Sequence, residues 1–382
     1  MQPRLIIGAM SGTSADGVDT ALVRIEGTGL DMTAELIAHA GVPFETSLRT
    51  RIHAVRECGR VALADLAQLG FDLARAYAAC VRELLATTAY GPADITALAA
   101  HGQTLFHAPP LSIQWIDAAY LAWASGIDVV SDFRHADLAA GGQGAPLVPL
   151  ADYVVFRNPE HSRVLLNLGG IANVTWLPKA AGLRDLIAFD TGPGNCLSDW
   201  LMRKFAAAGA DVDVGGALAL EGEVIGLVVD RFAEDEYFRR PPPKSTDGPA
   251  MIVAFERAAA AALGPADGEA PAGWASTPLP HLLATAAACV ARTIVDGLGT
   301  CSQGEEFDLI VAGGGVHNAA LLRGLAHFDP KPSDAIGVPT DAREAMAFAI
   351  LAAATLDRVP ANVIRATGAL RPVVLGAVWP RP

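Results

Sequence analysis

The stretch LIIGAMSGTSADGVDTALVRI, residues 5–25, decides the fold of the first part of the chain. Apolar runs on both sides of residues 11–17 predict two strands joined by a turn of Gly, Ser, Thr and Asp. Small residues let backbone N–H groups and hydroxyls close around an oxyanion, and the carboxylate of Asp16 is placed to hold a cation beside it. An ordinary hairpin turn is the alternative, but the preceding Ser11 and the following Asp19 favour a ligand-binding turn.

The composition is that of a globular chain without a nucleic-acid partner. Its 382 residues are 52% hydrophobic and 18% charged, which suits two domains or one large one. The net charge of −13, with no cluster of Lys and Arg, argues against nucleic-acid binding. The five cysteines have neither metal-ligand spacing nor an even number for disulfides. We find no signal peptide and no apolar run of about 18 residues, so we expect a reduced, soluble, cytoplasmic protein without a membrane span.

The first half of the chain predicts a ribonuclease-H-like unit. The order βββαβαβ differs from the alternating strands and helices of a dinucleotide-binding fold. The predicted elements are three strands between Arg4 and His39, a helical stretch over 45–90 broken near Gly59, strands at 95–102, 112–116 and 127–133, and a helix from Asp117.

The second half begins in the same way and predicts an internal duplication. Residues 163–177 again read as strand, glycine-rich turn and strand, and 186–190 follow as a third strand. Residues 307–325 read as a buried strand, a triple-glycine turn and the start of a helix. We expect the ligand between the two halves, with 238–249 and 264–280 as surface loops and the first of them a candidate lid.

FDTGPGN, residues 189–195, is the sharpest candidate for chemistry. Asp190 is predicted to end an apolar strand, and its carboxylate can serve as a general base toward an attacking oxygen. The glycines and Pro193 are expected to form a tight turn, and the next helix to offer its positive end to an anion. The alternative is that Asp190 or Asn195 only caps that helix. We favour catalysis because the other glycine-rich turns are predicted to converge on the same place.

Two more glycine-rich turns in the second half suit a nucleotide. NLGGIANVT, residues 167–175, predicts a second phosphate-facing hairpin, although a core hairpin with a bulge is the alternative. In AGGGVHN, residues 312–318, the glycines follow four apolar residues, 309–312, so they are placed to lie flat against adenine and ribose. The string is neither a P-loop nor a G-x-G-x-x-G turn in a βαβ context.

Candidates for a second ligand lie in the first half. HGQT, residues 101–104, places Gln103 and Thr104 at the carboxyl end of a strand, where ligands of α/β sheets bind, whereas His101 alone is more simply a structural histidine. Arg134 follows a strand and suits a carboxylate or a phosphate. A surface ion pair of Arg134 with Asp132 or Asp137 is an equal alternative.

The remaining polar residues carry weaker indications. Glu344 lies in the first turn of an apolar helix, where an acid that complements the helix dipole is the default interpretation. His317, Cys196 and Lys244 have no arrangement that assigns them a role.

Together these strings resemble the anhydro-N-acetylmuramic acid kinases, a bacterial cell-wall recycling family within the actin/sugar-kinase/Hsp70 fold. The resemblance covers nearly the whole chain in the family's order. The matching strings are GAMSGTSADGVD (8–19), AAHGQT (99–104), SDFRHADLAAGGQGAPLVPLAD (131–152), LNLGGIANVT (166–175), FDTGPGN (189–195), PPPKST (241–246), VAGGGVHN (311–318) and EAMAFAILA (344–352).

The resemblance implies an α/β fold of the duplicated ribonuclease-H-like, actin-like ATPase type, with two domains around a cleft for ATP and substrate. The first domain would be residues 1–135, with the C-terminal segment 355–382 as a candidate completion. The second would be residues 136–354, carrying nucleotide-binding elements. A homodimer is compatible with the family and with the apolar composition.

The implied reaction is an ATP-dependent hydrolytic opening of the 1,6-anhydro ring of anhydro-N-acetylmuramic acid, with phosphorylation of O6 to give N-acetylmuramic acid 6-phosphate. Asp190 would be the base that activates water. Phosphate and Mg²⁺ would be held by Gly12, Thr13, Ser14, Asp16, Gly17 and Asp19 with help from Gly169 and Gly170, and Asp16 would be the metal ligand. Gly313, Gly314 and Gly315 would face the nucleoside, and Gln103, Thr104, Arg134 and Glu344 would contact the sugar.

The chain departs from the family pattern in two segments, and two rival functions stay open. Residues 247–256 (DGPAMIVAFE) and 364–369 (IRATGA) differ from the usual family strings, which concerns loop geometry and substrate tightness. One rival is another small-molecule kinase or phosphohydrolase of the same fold, disfavoured by HGQT with the 131–149 segment. The other is a non-catalytic actin-like ATP-binding regulator, disfavoured by the intact FDTGPGN.

Overall fold

The computed structural model describes residues 3–180, 182–207, 209–264 and 273–382, apart from the side chain of Cys58. The chain divides into two units. Unit 1 is formed by Met1–Arg157, Gly182–Arg184 and Asp341–Pro382, and unit 2 by Asn158–Ala181 and Asp185–Thr340.

The helices and strands follow one another in three blocks along the chain. The first block, in unit 1, contains β1 (Arg4–Met10), β2 (Gly17–Glu26), β3 (Thr33–Pro43), α1 (Thr46–Cys58), α2 (Leu63–Ala86), β4 (Ile95–Ala100), β5 (Gln103–Ala108), β6 (Leu111–Trp115), α3 (Ala118–Ser125), β7 (Val129–Ser131), α4 (His135–Ala139) and α5 (Pro149–Phe156). Unit 2 contains β8 (Arg163–Leu168), β9 (Ile171–Leu177), β10 (Ile187–Pro193), α6 (Cys196–Phe205), α7 (Ala217–Glu221), α8 (Gly226–Ala233), α9 (Glu236–Arg239), α10 (Gly248–Leu263), α11 (Leu279–Ser302), β11 (Asp308–Ala312), α12 (Ala319–Leu325) and β12 (Lys331–Pro332). The chain then returns to unit 1 with α13 (Arg343–Leu356), α14 (Ile364–Thr367) and β13 (Ala377–Trp379).

The two units contain sheets of the same topology. In unit 1 the strand order is β13-β7-β4-β1-β2-β3, in which β1–β2 and β2–β3 pair antiparallel, β1–β4 and β4–β7 pair parallel, and the edge strand β13 is antiparallel to β7. In unit 2 the order is β10-β9-β8-β11-β12, again with three antiparallel strands followed by two parallel ones. Apart from the added edge strand β13, both sheets therefore have the order 3-2-1-4-5. The predicted duplicated ribonuclease-H-like fold is confirmed in each unit.

Helix α13 explains why unit 1 includes the end of the chain. The helix is almost entirely buried and packs on β1, β2 and β4. A Cβ at Gly8 would lie 1.8 Å from the carbonyl oxygen of Ala345, so only glycine lets α13 approach β1 this closely. Helix α5 in turn packs on α13 and β3. Unit 1 thus ends its first stretch at Arg157 and resumes at Asp341, with residues 182–184 also in it, whereas the family resemblance implies domains of 1–135 and 136–354 with 355–382 as a candidate completion of the first.

One helix among the described residues, α11, is long and apolar enough to cross a membrane by length and composition. Its best window has a mean hydropathy of 1.4, although His281, Arg292 and Asp296 interrupt its apolar residues. The helix packs against α6, α7, α8, α12 and β10 in unit 2, and 72% of that window is buried. Its position in a protein core accounts for its composition.

Two connecting segments also differ from the predicted ones. Residues 103–115 form a separate β5–β6 hairpin, of which only the second strand was predicted, because β5 is largely exposed and lacks an apolar face. The predicted loop at 238–249 is shortened by α9 and α10 to a connection over 240–247. Of the predicted loop at 264–280, residues 265–272 lie outside the described residues.

Candidate active site

The turn between β1 and β2 in unit 1 is supported by the side chain of Gln103. This buried amide donates from Nε2 to the carbonyl oxygen of Gly12 at 3.0 Å, and its Oε1 accepts from the Ser11 hydroxyl at 2.8 Å. Both ends of the amide are therefore engaged by the turn. The neighbouring Thr104 hydroxyl accepts a long hydrogen bond of 3.4 Å from Gln114.

Helix α1 holds the same turn from another side. Arg49 forms an ion pair with Asp16 at 2.9 Å, with both side chains about half exposed, and Arg56 donates to the carbonyl oxygen of Thr13. Ser14, at the tip, is exposed. The turn is thus fixed by side chains from outside it, while its tip remains open to solvent.

The two glycines of this turn have different surroundings. A Cβ at Gly17 would lie 2.4 Å from the carbonyl oxygen of Val42, so packing of β2 on β3 requires glycine there. At Gly12 the nearest atom to an added Cβ would be the Ser14 hydroxyl oxygen, at 3.6 Å. Packing therefore gives no reason for glycine at position 12, and the open space suits a phosphate that approaches the backbone.

The carboxylate of Asp19, after the turn, is repelled by three other carboxylates of unit 1, those of Glu344, Asp341 and Asp16. Desolvation by nearby protein atoms, together with the negative charges of Glu344 and Asp341, raises the pKa of Asp19. Desolvation also raises the pKa of Glu344, although its side chain is exposed, while Arg343 and Arg134 oppose that shift. A cation would relieve this repulsion.

The carboxylates near the turn suit a Mg²⁺ ion that also binds phosphate and water. They do not suit a metal ion bound by protein side chains alone. In the part of the chain that the structure describes, no three His, Cys, Asp or Glu side chains form a group able to hold a metal. Mg²⁺ usually takes one or two carboxylates and completes its octahedron with phosphate oxygens and water. Asp16 and Asp19 provide carboxylates of that kind.

Arg134 is oriented by His101. Its Nε donates to His101 Nε2 at 3.1 Å and its Nη1 donates to the carbonyl oxygen of Gly144 at 2.7 Å. Because Nε2 accepts, the proton of the imidazole is assigned to Nδ1, which lies 2.9 Å from the carbonyl oxygen of Gly102. Burial and the charge of Arg134 hold the pKa of His101 well below its ordinary range. His101 therefore acts as a neutral support for the guanidinium.

Neither ion pair considered for Arg134 is found among the described residues. Asp132 pairs with His135 instead, and the buried Asp137 accepts from the Gly144 amide and from Asn362 and Thr367. Burial lowers the pKa of Arg134 to about 10, while the charge of Glu344 raises it. A guanidinium held in place by neutral groups is available to a ligand carboxylate or phosphate.

The corresponding turn in unit 2, between β8 and β9, is held by backbone atoms. The carbonyl oxygen of Gly169 accepts from the Asn195 amide at 2.9 Å, and that of Gly170 accepts from Gly194 and Cys196 at 2.9 and 3.1 Å. A Cβ at Gly194 would lie 2.2 Å from the Gly169 oxygen. These bonds engage the amides of Gly194, Asn195 and Cys196, of which only the last belongs to α6, so an anion at the start of this helix stays a prediction.

The triple glycine after β11 packs on the same turn of unit 2. A Cβ at Gly313 would lie 2.8 Å from the carbonyl oxygen of Leu168, and one at Gly315 would lie 2.6 Å from the Leu168 Cβ. An added Cβ at Gly170 or Gly314 would meet nothing within 4 Å. The three glycine motifs of unit 2 are thus brought together, and Gly170 and Gly314 leave open space where a ligand could approach the backbone.

Asp190 lies within β10, beside a register shift between Asp190 and Gly192, and not at the end of the strand as predicted. Its Oδ2 accepts from the Thr246 amide at 3.0 Å. Burial raises the pKa of Asp190 to about 6, which the Thr246 N–H opposes. No cation pairs with this carboxylate among the described residues. Such a group is suited to accept a proton near neutral pH.

The capping alternative for FDTGPGN is not observed. Asn195, the residue before α6, makes no side-chain capping bond, and the Asp190 carboxylate accepts from Thr246 and not from α6. Sequence reasoning missed the groups that surround Asp190, which are Tyr237, Lys244 and Thr246. The string PPPKST, residues 241–246, could have pointed to them, because no predicted helix or strand accounts for it.

Comparison with known proteins agrees with the motifs. The family model described as Anhydro-N-acetylmuramic acid kinase matches residues 4–381. The chain is 38% identical over 390 residues to the Gloeobacter violaceus protein of that name, covering 100% of both chains. It is 41% identical over 384 residues to the Bordetella parapertussis protein of that name, covering 99% of this chain and 96% of the other. Neither rival function is favoured by these matches, which show a phosphotransferase. The chain therefore belongs to the anhydro-N-acetylmuramic acid kinase family, as its motifs predicted.

Proposed function

We propose that this protein uses ATP to phosphorylate O6 of anhydro-N-acetylmuramic acid while water opens the 1,6-anhydro ring, giving N-acetylmuramic acid 6-phosphate. Family membership over residues 4–381 supports the substrate and the use of ATP. The observation that carries the mechanism is the carboxylate of Asp190, which is partly buried, has a raised pKa of about 6 and has no cation partner among the described residues.

In the proposed step, Asp190 accepts a proton from water as the water oxygen bonds to the anomeric carbon. The bond from that carbon to O6 breaks, and O6 keeps the electron pair. O6 then forms the new bond to the γ-phosphorus, and ADP leaves with the electrons of the broken phosphoanhydride bond. The proton held by Asp190 passes to solvent, which completes the balance.

The groups proposed to hold ATP are the residues of the glycine-rich turns. In unit 1 they are Gly12, Thr13, Ser14, Asp16 and Asp19, with Gly17 contributing through packing. In unit 2 they are Gly169, Gly170, Gly313, Gly314 and Gly315. Mg²⁺, held by Asp16 with Asp19 nearby, would neutralise phosphate charge during transfer. The magnesium requirement, a homodimer and a cytoplasmic location stay predictions.

The sugar is proposed to meet the unit 1 groups around Arg134. Its lactyl carboxylate requires a placed cation in a chain of net charge −13, and the guanidinium of Arg134 is already oriented by His101. Glu344 and Thr104 are proposed as further contacts. Gln103 is proposed to act through the turn, because its amide is occupied by Ser11 and Gly12.

The test is a reaction of the purified protein with Mg-ATP and anhydro-N-acetylmuramic acid in isotopically labelled water, followed by mass spectrometry. We expect ADP and a sugar 6-phosphate with the label on the anomeric oxygen. Asp190→Asn is expected to lower the rate by about 10²–10⁴-fold, as for loss of a general base. An unlabelled product would contradict the hydrolytic step, and a wild-type rate in Asp190→Asn would remove Asp190 as the base.

A further inference from the structure

The segment Tyr237–Thr246 folds onto the strand that carries Asp190. The Tyr237 hydroxyl donates to the carbonyl oxygen of Asp190 at 2.7 Å, and the Asp190 amide donates to the carbonyl oxygen of Lys244 at 3.0 Å. The Thr246 amide donates to the carboxylate itself at 3.0 Å. Both ends of the segment therefore contact residue 190.

A glycine in β10 allows this contact. A Cβ at Gly192 would lie 2.8 Å from the ring of Phe238, which is closer than packed atoms come. With glycine there, the Phe238 ring rests directly on the strand two residues after Asp190. The segment is thus packed against β10 as well as hydrogen-bonded to it.

The segment has few backbone N–H groups that could hydrogen-bond its end to its beginning. Pro241, Pro242 and Pro243 have no N–H to donate. The side chain of Lys244 provides the donor instead. Its Nζ donates to the carbonyl oxygens of Tyr237 and Phe238 at 3.4 and 3.2 Å. Lys244 thereby ties the beginning of the segment to its end.

The Lys244 ammonium contacts carbonyl oxygens and aromatic rings and has no anionic partner among the described residues. It lies 4.9 Å from the ring centre of Tyr237 and 5.8 Å from that of Phe189, and no carboxylate pairs with it among the described residues. Burial and the charge of Arg240 lower its pKa. Lys244 binds carbonyl oxygens and aromatic rings and not a carboxylate. Its position is therefore explained by its closing of the loop and not by neutralisation of a negative charge.

We propose that Lys244 is a positioning residue, which closes residues 237–246 and so holds the Thr246 N–H against the carboxylate of Asp190. Its catalytic consequence rests on the proposed function of Asp190 as the base. The contact itself is a property of the free protein and is measured without substrate.

The experiment compares Lys244→Met, which keeps an unbranched side chain of nearly the same length but removes its donors, with the wild-type chain. The Asp190 carboxyl carbon is titrated by ¹³C NMR in the ligand-free protein, with Asp190→Asn to assign the signal. Loss of the Thr246 hydrogen bond removes a group that stabilises the charged form, so we expect the titration midpoint to move to higher pH. The acidic limb of kcat against pH is expected to move the same way, with kcat falling by about 10–100-fold and little change in KM.

A control and a second variant keep the test decisive. Lys204 lies 4.6 Å from the Trp200 ring centre and pairs with Glu256, so Lys204→Met removes a comparable lysine whose partners lie outside 237–246. It is expected to leave the Asp190 titration unchanged. If Lys244→Met does not fold, Tyr237→Phe decides, since it removes only the hydroxyl bonded to Asp190 and is expected to move the titration in the same direction.

The outcomes separate this proposal from the proposed function. An unchanged Asp190 titration in a folded Lys244→Met protein overturns the positioning role, as does a rise in the KM for ATP alone, which would indicate direct ligand contact. A shifted titration together with full activity in Asp190→Asn supports the positioning contact and rejects Asp190 as the base.

Discussion

The turn after β1 and the turn after β8 occupy the same place in two sheets of the same order, yet they are stabilised differently. In unit 1, side chains from elsewhere hold the turn, namely Gln103 from β5 and Arg49 and Arg56 from α1. In unit 2, the carbonyl oxygens of Gly169 and Gly170 are bonded to the backbone that leads into α6. Equivalent topology therefore does not require equivalent chemistry at the turn.

The carboxylates beside the two turns differ in the same way. Asp16 is exposed and paired with Arg49, whereas Asp190 is partly buried and has no cation partner among the described residues. An exposed, paired carboxylate is suited to exchange its partner for a metal ion. A desolvated one is suited to take up a proton. This contrast leads to three predictions.

The largest expected effect on stability is at Asp190. Its pKa of about 6 in the folded chain lies above the ordinary value, so the folded state binds the proton more tightly, and this stabilisation is lost as pH rises from about 4 to 6. Asp190→Asn should therefore be more stable than wild type at pH 8, by about 3 kcal/mol, and by much less at pH 4. Denaturant unfolding at both pH values measures the difference. Asp16→Asn serves as the comparison in unit 1, and a similar gain there would refute the contrast.

The next largest effect is expected for Gly→Ala variants. They distinguish glycines that packing requires from glycines that leave room for a ligand. Gly194→Ala and Gly17→Ala place a methyl group 2.2 and 2.4 Å from a carbonyl oxygen, so each should lose about 1–3 kcal/mol of stability. Gly170→Ala and Gly12→Ala meet no such atom and should change stability by less than about 0.5 kcal/mol. If the proposed ATP site is right, the second pair should raise the KM for ATP. Unchanged KM values with unchanged stability would count against phosphate binding at these glycines.

The smallest effect is expected at Arg49. Its ion pair with Asp16 is about half exposed, so Arg49→Ala should cost about 0.2–1 kcal/mol, and less at high salt. Chemical denaturation at low and high ionic strength measures both values. A loss that does not depend on salt would show that Arg49 supports the turn by packing and not by charge.

The sequence predicted the hairpins well because their determinants are local. Apolar residues flank the glycines at 11–17 and 168–171, and this pattern indicates strand, turn and strand whatever lies around it. The ribonuclease-H-like fold was predicted from those hairpins and from the order of strands and helices after them. Asp190 was proposed as a candidate from a local pattern of the same kind, although the register shift that places it inside β10 has no clear sequence signature.

What the sequence did not predict depends on distant partners. Lys244 contacts backbone carbonyls and aromatic rings, and such partners leave no charge pattern to recognise. Helix α13 joins unit 1 because it fits the space over Gly8, more than 330 positions earlier in the chain. The support of Arg134 by His101 likewise joins two separate motifs. Contacts of this kind are set by tertiary packing.

The return of the chain to unit 1 has a consequence for how the protein is made. The face of β1, β2 and β4 that α13 covers has no cover until residues 343–356 have been synthesised. At typical translation rates, the residues between Arg157 and Asp341 take roughly ten to forty seconds to add. The ribosome therefore finishes unit 2 while unit 1 still lacks its last helix, so the part of the protein that begins first is completed last.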